Sequence, residues 1–199
     1  MDAMETGNVA AEKARARKLF RARRAALAPE ARQAQSVAIC SQLLPFLHER
    51  RMRTLSAFWP LAEEVDLRPL LRGLAASGVT VALPVVVSER GDRPRLVHRA
   101  FQGDAALARG RFGVMEPLAT APLVAPRDVE VALVPALAVD ARGVRLGYGG
   151  GFYDAFLAQT EAMRVAVVFA SGVAARLPAE PHDARVDWTV TPEAARAAT

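Results

Sequence analysis

Arg145-Leu-Gly-Tyr-Gly-Gly-Gly-Phe-Tyr-Asp154 places four glycines, Gly147, Gly149, Gly150 and Gly151, within five positions. The apolar run Val131–Val139 precedes it and the helix-like segment Phe152–Gln159 follows. The unit therefore reads as strand, bare loop, helix. Backbone without side chains lets a ligand approach closely, and its N–H groups, with the start of a helix, suit phosphate oxygens. Arg145 supplies a cation at one edge, and Asp154 a carboxylate able to hold a metal at the other. A nucleoside triphosphate with Mg²⁺ would use all three, whereas a plain turn would use none. No Gly-Lys-Ser/Thr follows, so the loop is not a P-loop, and its third glycine comes too early for the dinucleotide fingerprint.

On either side, strands and helices alternate. Residues 10–28 read as a helix, and Pro29 suits the first turn of a second helix running to about Leu44. That second helix is expected to turn Ala34, Val37, Ala38 and Ser41 inward. Thr54–Pro60 is a short strand, and Asp66 caps a helix Leu67–Ala76 that Gly78 ends. Val79–Val87, apolar and β-branched, fits a strand covered on both faces. Arg95–Ala100 fits an edge strand after a turn at Gly91–Pro94. Arg164–Ala170 and Arg185–Val190 supply further strands. This alternation predicts an α/β fold with a largely parallel sheet and helices on both faces. Ligands of such sheets bind beyond the carboxyl ends of the strands. The glycine loop lies at one such end, and Trp59-Pro-Leu-Ala-Glu-Glu64 at another.

The 199 residues suit one domain spanning 1–199, with 52% hydrophobic and 24% charged residues. No run of 18 apolar residues is present, so no membrane span is expected. Met1–Ala11 is polar and acidic, a flexible start and not a secretory signal. The single cysteine, Cys40, has no internal partner and reads as a small core residue. A cytoplasmic protein is expected. Eleven of the 26 Lys/Arg but only five of the 21 Asp/Glu fall in residues 1–53, which accounts for the net charge of +5. The cations are densest at Lys13, Arg15, Arg17, Lys18, Arg21, Arg23 and Arg24. Three readings stay open: a solvated helical face, a nucleic-acid arm, or a phosphate clamp. Lys13 and Arg17, at i and i+4, share a helix face and can converge on one anion.

Taken together, the chain resembles the 5-formyltetrahydrofolate cyclo-ligase family from about Lys13 to Thr191. The most specific stretch is Asp140-x-x-Gly143-x-Arg145 through Asp154. Supporting matches are Lys13-x-x-x-Arg17, Leu27-Ala-Pro-Glu30, Trp59 through Glu64, Leu83-Pro84, Phe112-Gly113-x-x-Glu116-Pro117, Val134-Pro135, and Leu177-Pro178-x-x-x-His182-Asp183-x-x-Val186-Asp187. The resemblance implies a three-layer α/β/α sandwich and an enzyme that uses ATP and Mg²⁺. Its reaction would cyclise 5-formyltetrahydrofolate to 5,10-methenyltetrahydrofolate through a phosphorylated formyl group, releasing ADP and phosphate. It further implies a monomer whose partners are these small molecules, with neither nucleic acid nor membrane.

By the same resemblance, Lys13, Arg17 and the loop Arg145, Leu146, Gly147, Tyr148, Gly149, Gly150, Gly151, Phe152 and Tyr153 bind ATP. Arg145 and Tyr153 are catalytic, Trp59 and Glu64 contact folate, and Asp154 and Asp187 hold Mg²⁺. The chemistry agrees. An indole stacks on a pterin ring, a carboxylate accepts from its N–H groups, and Mg²⁺ takes hard oxygen ligands. Alternatively, Trp59 is a core aromatic, Asp187 pairs with an arginine, and His182 merely shapes its turn. Phe152 and Gly150 depart from the tyrosine and lysine of many family members. A nucleic-acid-binding protein using the basic first helix is the competing function.

Overall fold

The computed structural model describes residues 3–88 and 94–199. Most of the turn expected at Gly91–Pro94 lies outside them. The first helices are α1 (Ala3–Ala25) and α2 (Pro29–His48), followed by β1 (Thr54–Ser56), α3 (Arg68–Ala76) and the long β2 (Thr80–Val87). Next come β3 (Arg95–Ala100), β4 (Leu107–Arg109), β5 (Met115–Pro117) and β6 (Leu123–Val124). β7 (Val131–Pro135), β8 (Ala138–Asp140), β9 (Arg145–Leu146) and α4 (Phe152–Leu157) surround the glycine loop. β10 (Met163–Val167), β11 (Val173–Ala174), β12 (Trp188–Val190) and β13 (Ala195–Ala197) complete the chain.

The main sheet has eight strands in the order β13-β12-β10-β7-β1-β2-β3-β6. From β12 to β2 every pairing is parallel. Antiparallel β13 closes one side, and β3 and β6 the other. The largely parallel sheet expected from the sequence is therefore present. β3 is not its edge, however, because His98 and Arg99 pair outward with β6.

The layers follow from the strand pleat. β7 is buried throughout, as a central strand covered on both sides must be. Val131 and Leu133 point into one core with Ile39 and Leu43 of α2 and Leu71 and Leu74 of α3. Ala132 and Val134 point the other way, onto Phe156 and Leu157 of α4. Each fully buried Leu, Ile or Phe side chain contributes roughly 1.5–3 kcal/mol. Helices on both faces make the three-layer α/β/α sandwich. In α2 the buried residues are Ser36, Ile39, Leu43, Phe46 and Leu47, whereas Val37 is 56% exposed. The inner face expected at Ala34, Val37 and Ser41 in fact turns outward. Small side chains offer little area, so the larger Ile39, Leu43 and Phe46 set the helix rotation.

The apolar run Val131–Val139 is not one strand. Pro135, which has no N–H to donate, ends β7. Residues Ala138–Asp140 then join a separate sheet in the order β11-β8-β9. That small sheet packs through Val139 against Ala166 and Val168 of the main sheet. Through Ala138 and Leu146 it packs against Phe20 of α1.

One buried titratable group sits away from the loop. His98 of β3 is 2% exposed, stacked 4.0 Å from the Phe156 ring, and its Nε2 has no hydrogen-bond partner among the described residues. Burial lowers its pKa to about 4. The folded state thus refuses a proton that the unfolded chain accepts near pH 6.5. Full stability is present above about pH 6.5 and declines as pH falls toward 4, by about 3 kcal/mol from this group. His98→Phe should flatten the loss between pH 6.5 and 4 in denaturant titrations; an unchanged slope would assign it to other groups.

Candidate active site

The site grows from a hairpin. β8 and β9 pair antiparallel, with Val139 opposite Arg145. At the turn, Asp140 is buried: its Oδ1 accepts the Arg142 and Val144 N–H groups at 3.0 and 3.1 Å. Its Oδ2 accepts the Leu177 N–H at 2.9 Å and an Arg142 guanidinium N–H at 2.7 Å. Burial pushes this carboxyl up, but the bonds from Arg142, Leu177 and Val144 outweigh it and leave the group below the usual carboxylate range. Gly143 has φ +72°, and a Cβ there would strike the Val186 carbonyl oxygen. Only glycine fits that turn.

The hairpin delivers Arg145 to the start of the glycine loop. Its Nη2 donates to Asp154 Oδ1 at 2.8 Å, across the loop. Its Nη1 lies 3.4 Å from the carbonyl of Pro135, at the carboxyl end of β7. The loop therefore sits where an α/β sheet places its ligands, although it follows β9 and not the long strand. Gly149 and Gly151 have φ of +98° and +71°, conformations that side chains resist. At the loop, Arg145 Nε and the Tyr153 hydroxyl are buried without a partner among the described residues, as is Arg24 Nε of α1 beside them. Unpaired buried donors are costly, and phosphate oxygens would satisfy the first two. α4 is only six residues long, so the side-chain cations outweigh its dipole as an anion attractor.

α1 lies along this loop. Lys13, Ala16, Arg17, Phe20 and Arg24 form its more buried stripe, so the basic face is only partly solvated. Arg17 Nε donates to the Gly147 carbonyl at 3.1 Å, and Arg21 lies 3.4 Å from that of Tyr148. Lys13 Nζ instead bonds Glu180 at 2.6 Å and Asp183 at 2.7 Å. Arg17 thus meets the glycine loop and Lys13 the segment after Leu177, and they share no acceptor. Asp183 Oδ2 also accepts the Glu180 N–H at 2.6 Å. Burial raises the Asp183 carboxyl, but the Lys13 and Glu180 hydrogen bonds bring it below its ordinary value.

Among the carboxylates, Asp154 Oδ1 accepts the N–H of Ala184 at 3.3 Å, while the Glu180 and Asp183 carboxylates gather with His182, one ligand atom of each within 4.8 Å of the others. Asp187 is elsewhere. It is exposed, and its Oδ2 accepts the Arg164 N–H at 2.7 Å, near the amino end of β10. Pro135 lies at the opposite end of these parallel strands. Among the described residues no contact joins Asp154 to Asp187, the pair expected from the sequence; the segment that reaches Asp154 does so through the Ala184 N–H, next in the chain to Asp183. His182 is largely exposed, 3.9 Å from Glu180.

Next to the loop opens a cleft of about 500 Å³ bordered by Trp59, Pro60, Glu64, Arg109 and Met115. Trp59 is 8% exposed, 5.4 Å from the Phe101 ring, and so doubles as a core aromatic. Glu64 faces both cleft and loop. Its Oε2 accepts the Leu61 N–H at 2.9 Å, and its Oε1 accepts the Tyr148 hydroxyl. Burial raises its pKa, against the lowering influence of Tyr148, Leu61 and Arg24. Loop and cleft are therefore one connected site. It gathers Lys13, Arg17, Arg145–Asp154, Trp59 and Glu64, and leaves out Asp187. Glu180, Asp183, Arg21 and Arg24 belong to it as well. The helical spacing of Lys13, Arg17 and Arg24 was the signal for the last.

A largely parallel α/β sandwich with a glycine loop, basic side chains and carboxylates gathered beyond its strands has the architecture of an α/β enzyme. The model of the 5-formyltetrahydrofolate cyclo-ligase family matches residues 9–192. The chain belongs to this family of enzymes. It is 36% identical to the 5-formyltetrahydrofolate cyclo-ligase of Mycolicibacterium smegmatis over 144 residues, covering 71% of this chain and 74% of that protein. The Escherichia coli cyclo-ligase is 28% identical, covering 87% and 97%. The solution structure of Aquifex aeolicus 5,10-methenyltetrahydrofolate synthetase superposes with a TM-score of 0.82 at 31% identity, covering 93% of this chain and 92% of that one.

Gly143→Ala tests the hairpin. The added Cβ meets backbone, not a movable side chain, so destabilisation of at least ~2 kcal/mol should appear in urea titrations. A near-neutral change would show that the turn can open without cost.

Proposed function

We propose that this enzyme converts 5-formyltetrahydrofolate to 5,10-methenyltetrahydrofolate with ATP and Mg²⁺, releasing ADP and phosphate. The observation that carries the reading is the Tyr148–Glu64 hydrogen bond, which joins a phosphate-shaped loop to a ring-sized cleft. A transfer between two substrates needs both pockets within one site.

The formyl oxygen is a poor leaving group. It attacks the γ-phosphorus as the bond to ADP breaks; N10 then attacks the formyl carbon, loses its proton, and phosphate departs. In this reading the loop N–H groups from Gly147 to Gly151, with Arg17, hold the phosphates. Arg145 Nε and the Tyr153 hydroxyl, unpaired donors at the loop, meet the transferring group and stabilise its charge. Trp59 stacks on the pterin, and Glu64 accepts its N–H donors. Asp154 and Asp183 would hold Mg²⁺ with hard carboxylate oxygens, and the ion would neutralise triphosphate charge. Lys13, which pairs with Glu180 and Asp183, would supply a further cation beside the phosphates. Asp187, engaged with the Arg164 N–H, serves the sheet. A cytoplasmic, monomeric enzyme acting on small molecules fits this role, and no described helix is long and apolar enough to cross a membrane.

Incubation with 5-formyltetrahydrofolate and MgATP should develop the methenyl chromophore with one ADP per turnover, and omission of ATP or Mg²⁺ should abolish it. No product at saturating MgATP would refute the activity. Asp154→Asn and Asp183→Asn should each slow turnover about a hundredfold, equivalent to ~3 kcal/mol of lost charge compensation. Asp187→Asn should turn over normally with a lowered melting temperature; the reverse ranking would return the metal to Asp187.

Trp59→Ala should raise the folate KM more than the ATP KM, because stacking is lost while the loop is untouched. Equal effects on both, with a large fall in melting temperature, would leave Trp59 a core residue alone.

A further inference from the structure

Arg24 stands in the last turn of α1 yet is 8% exposed. Its Nη1 donates to the Tyr148 hydroxyl at 2.7 Å, and its guanidinium carbon lies 5.5 Å from the centre of that ring. Its Nη2 is 3.9 Å from Glu63. Arg24 also borders one small enclosed space with Glu64, Phe58 and Pro135, between the cleft and the carboxyl end of β7. The direction of the bonds is fixed by chemistry. Arginine has only donors, so it must take a lone pair of the Tyr148 oxygen. The single phenolic proton is then left for Glu64 Oε1. A one-way chain results, from Arg24 to Tyr148 to Glu64.

We propose that Arg24 is a positioning residue and that the Arg24–Tyr148–Glu64 chain couples the two pockets: folate held at Glu64 tightens nucleotide binding at Gly147–Gly151. The inference rests on the function proposed above.

Each carboxylate oxygen accepts more than one hydrogen bond. Ring N–H donors can therefore join Glu64 without evicting Tyr148 or the Leu61 N–H. A Glu64 fixed by substrate holds the Tyr148 hydroxyl more firmly, and hydrogen bonds in series polarise one another. Tyr148 lies within the loop. Its own carbonyl faces Arg21 at 3.4 Å, and that of Gly147 accepts from Arg17 at 3.1 Å. A loop restrained beforehand has less freedom to lose when nucleotide arrives. Were Arg24 only a bolt holding α1 to the body, its loss would lower stability and leave the coupling intact.

The test is calorimetric titration of MgADP, with and without saturating 5-formyltetrahydrofolate; ADP cannot phosphorylate the formyl group, so nothing turns over. Wild type should bind MgADP about tenfold tighter with folate present, and folate should tighten by the same factor with MgADP present. Tyr148→Phe keeps the ring and removes the hydroxyl, and Arg24→Met keeps the stem and removes the donors. Both should bring the ratio to about one, well below the usual range of allosteric coupling. Arg23→Met, an exposed neighbour in the same turn, should retain the wild-type ratio. A wild-type ratio retained in Tyr148→Phe, or in Arg24→Met with only a lower melting temperature, overturns the coupling. So does a ratio of one, or weakened binding, in wild type. Failure of wild type to bind either ligand alone overturns the functional reading itself, and the coupling with it.

Discussion

The ion pair between Arg145 and Asp154 is the constraint on which the site depends. It closes a loop that has almost no side chains of its own, joining the last strand before it to the first turn of α4. The Arg145 side chain is almost wholly buried, so its charge must be matched there; removal of one partner from such a pair typically costs about 3–5 kcal/mol. With both ends of the loop held, the positive-φ glycines can keep their N–H groups unencumbered. The pair itself rests on Asp140, whose four bonded donors fix the hairpin that aims Arg145.

The basic first helix shows how composition can mislead about location. Its charge excess suggests an outward electrostatic surface. In the fold, Lys13 and Arg24 are among the buried charged residues, Lys13 matched by Glu180 and Asp183 from the far end of the chain and Arg24 by the Tyr148 phenol of the glycine loop. The cations serve an interior boundary between helix and loop, while Arg15, Lys18 and Arg23 remain on the outside.

Alternation of apolar strands with helices made the sandwich and its parallel centre legible, because central strands must be apolar on both faces, as β7 and most of β2 are. The glycine loop, Arg145, Asp154, Trp59 and Glu64 were legible because few structural roles need those residues in that order. Other features were hidden for physical reasons. Pro135 and Ala136 let the chain leave one sheet for another within an unbroken apolar run, which hydropathy cannot register. The rotation of α2 was misread because Ala and Ser carry too little area to fix a face. The carboxylate beside Asp154 depends on how the segment after Leu177 folds back, and spacing along the chain does not separate Asp183 from Asp187.

The contacts of Lys13 have a temporal consequence. This residue meets Glu180 and Asp183, separated from it by 167 and 170 positions. On a ribosome, α1 emerges long before the carboxylates it must meet, so its buried cations wait unmatched while the central strands are made. Such late closure joins the two ends of the sequence in one contact, and contacts of this span slow folding. Arrival of the segment around Glu180 and Asp183 is what gives the buried Lys13 its partners.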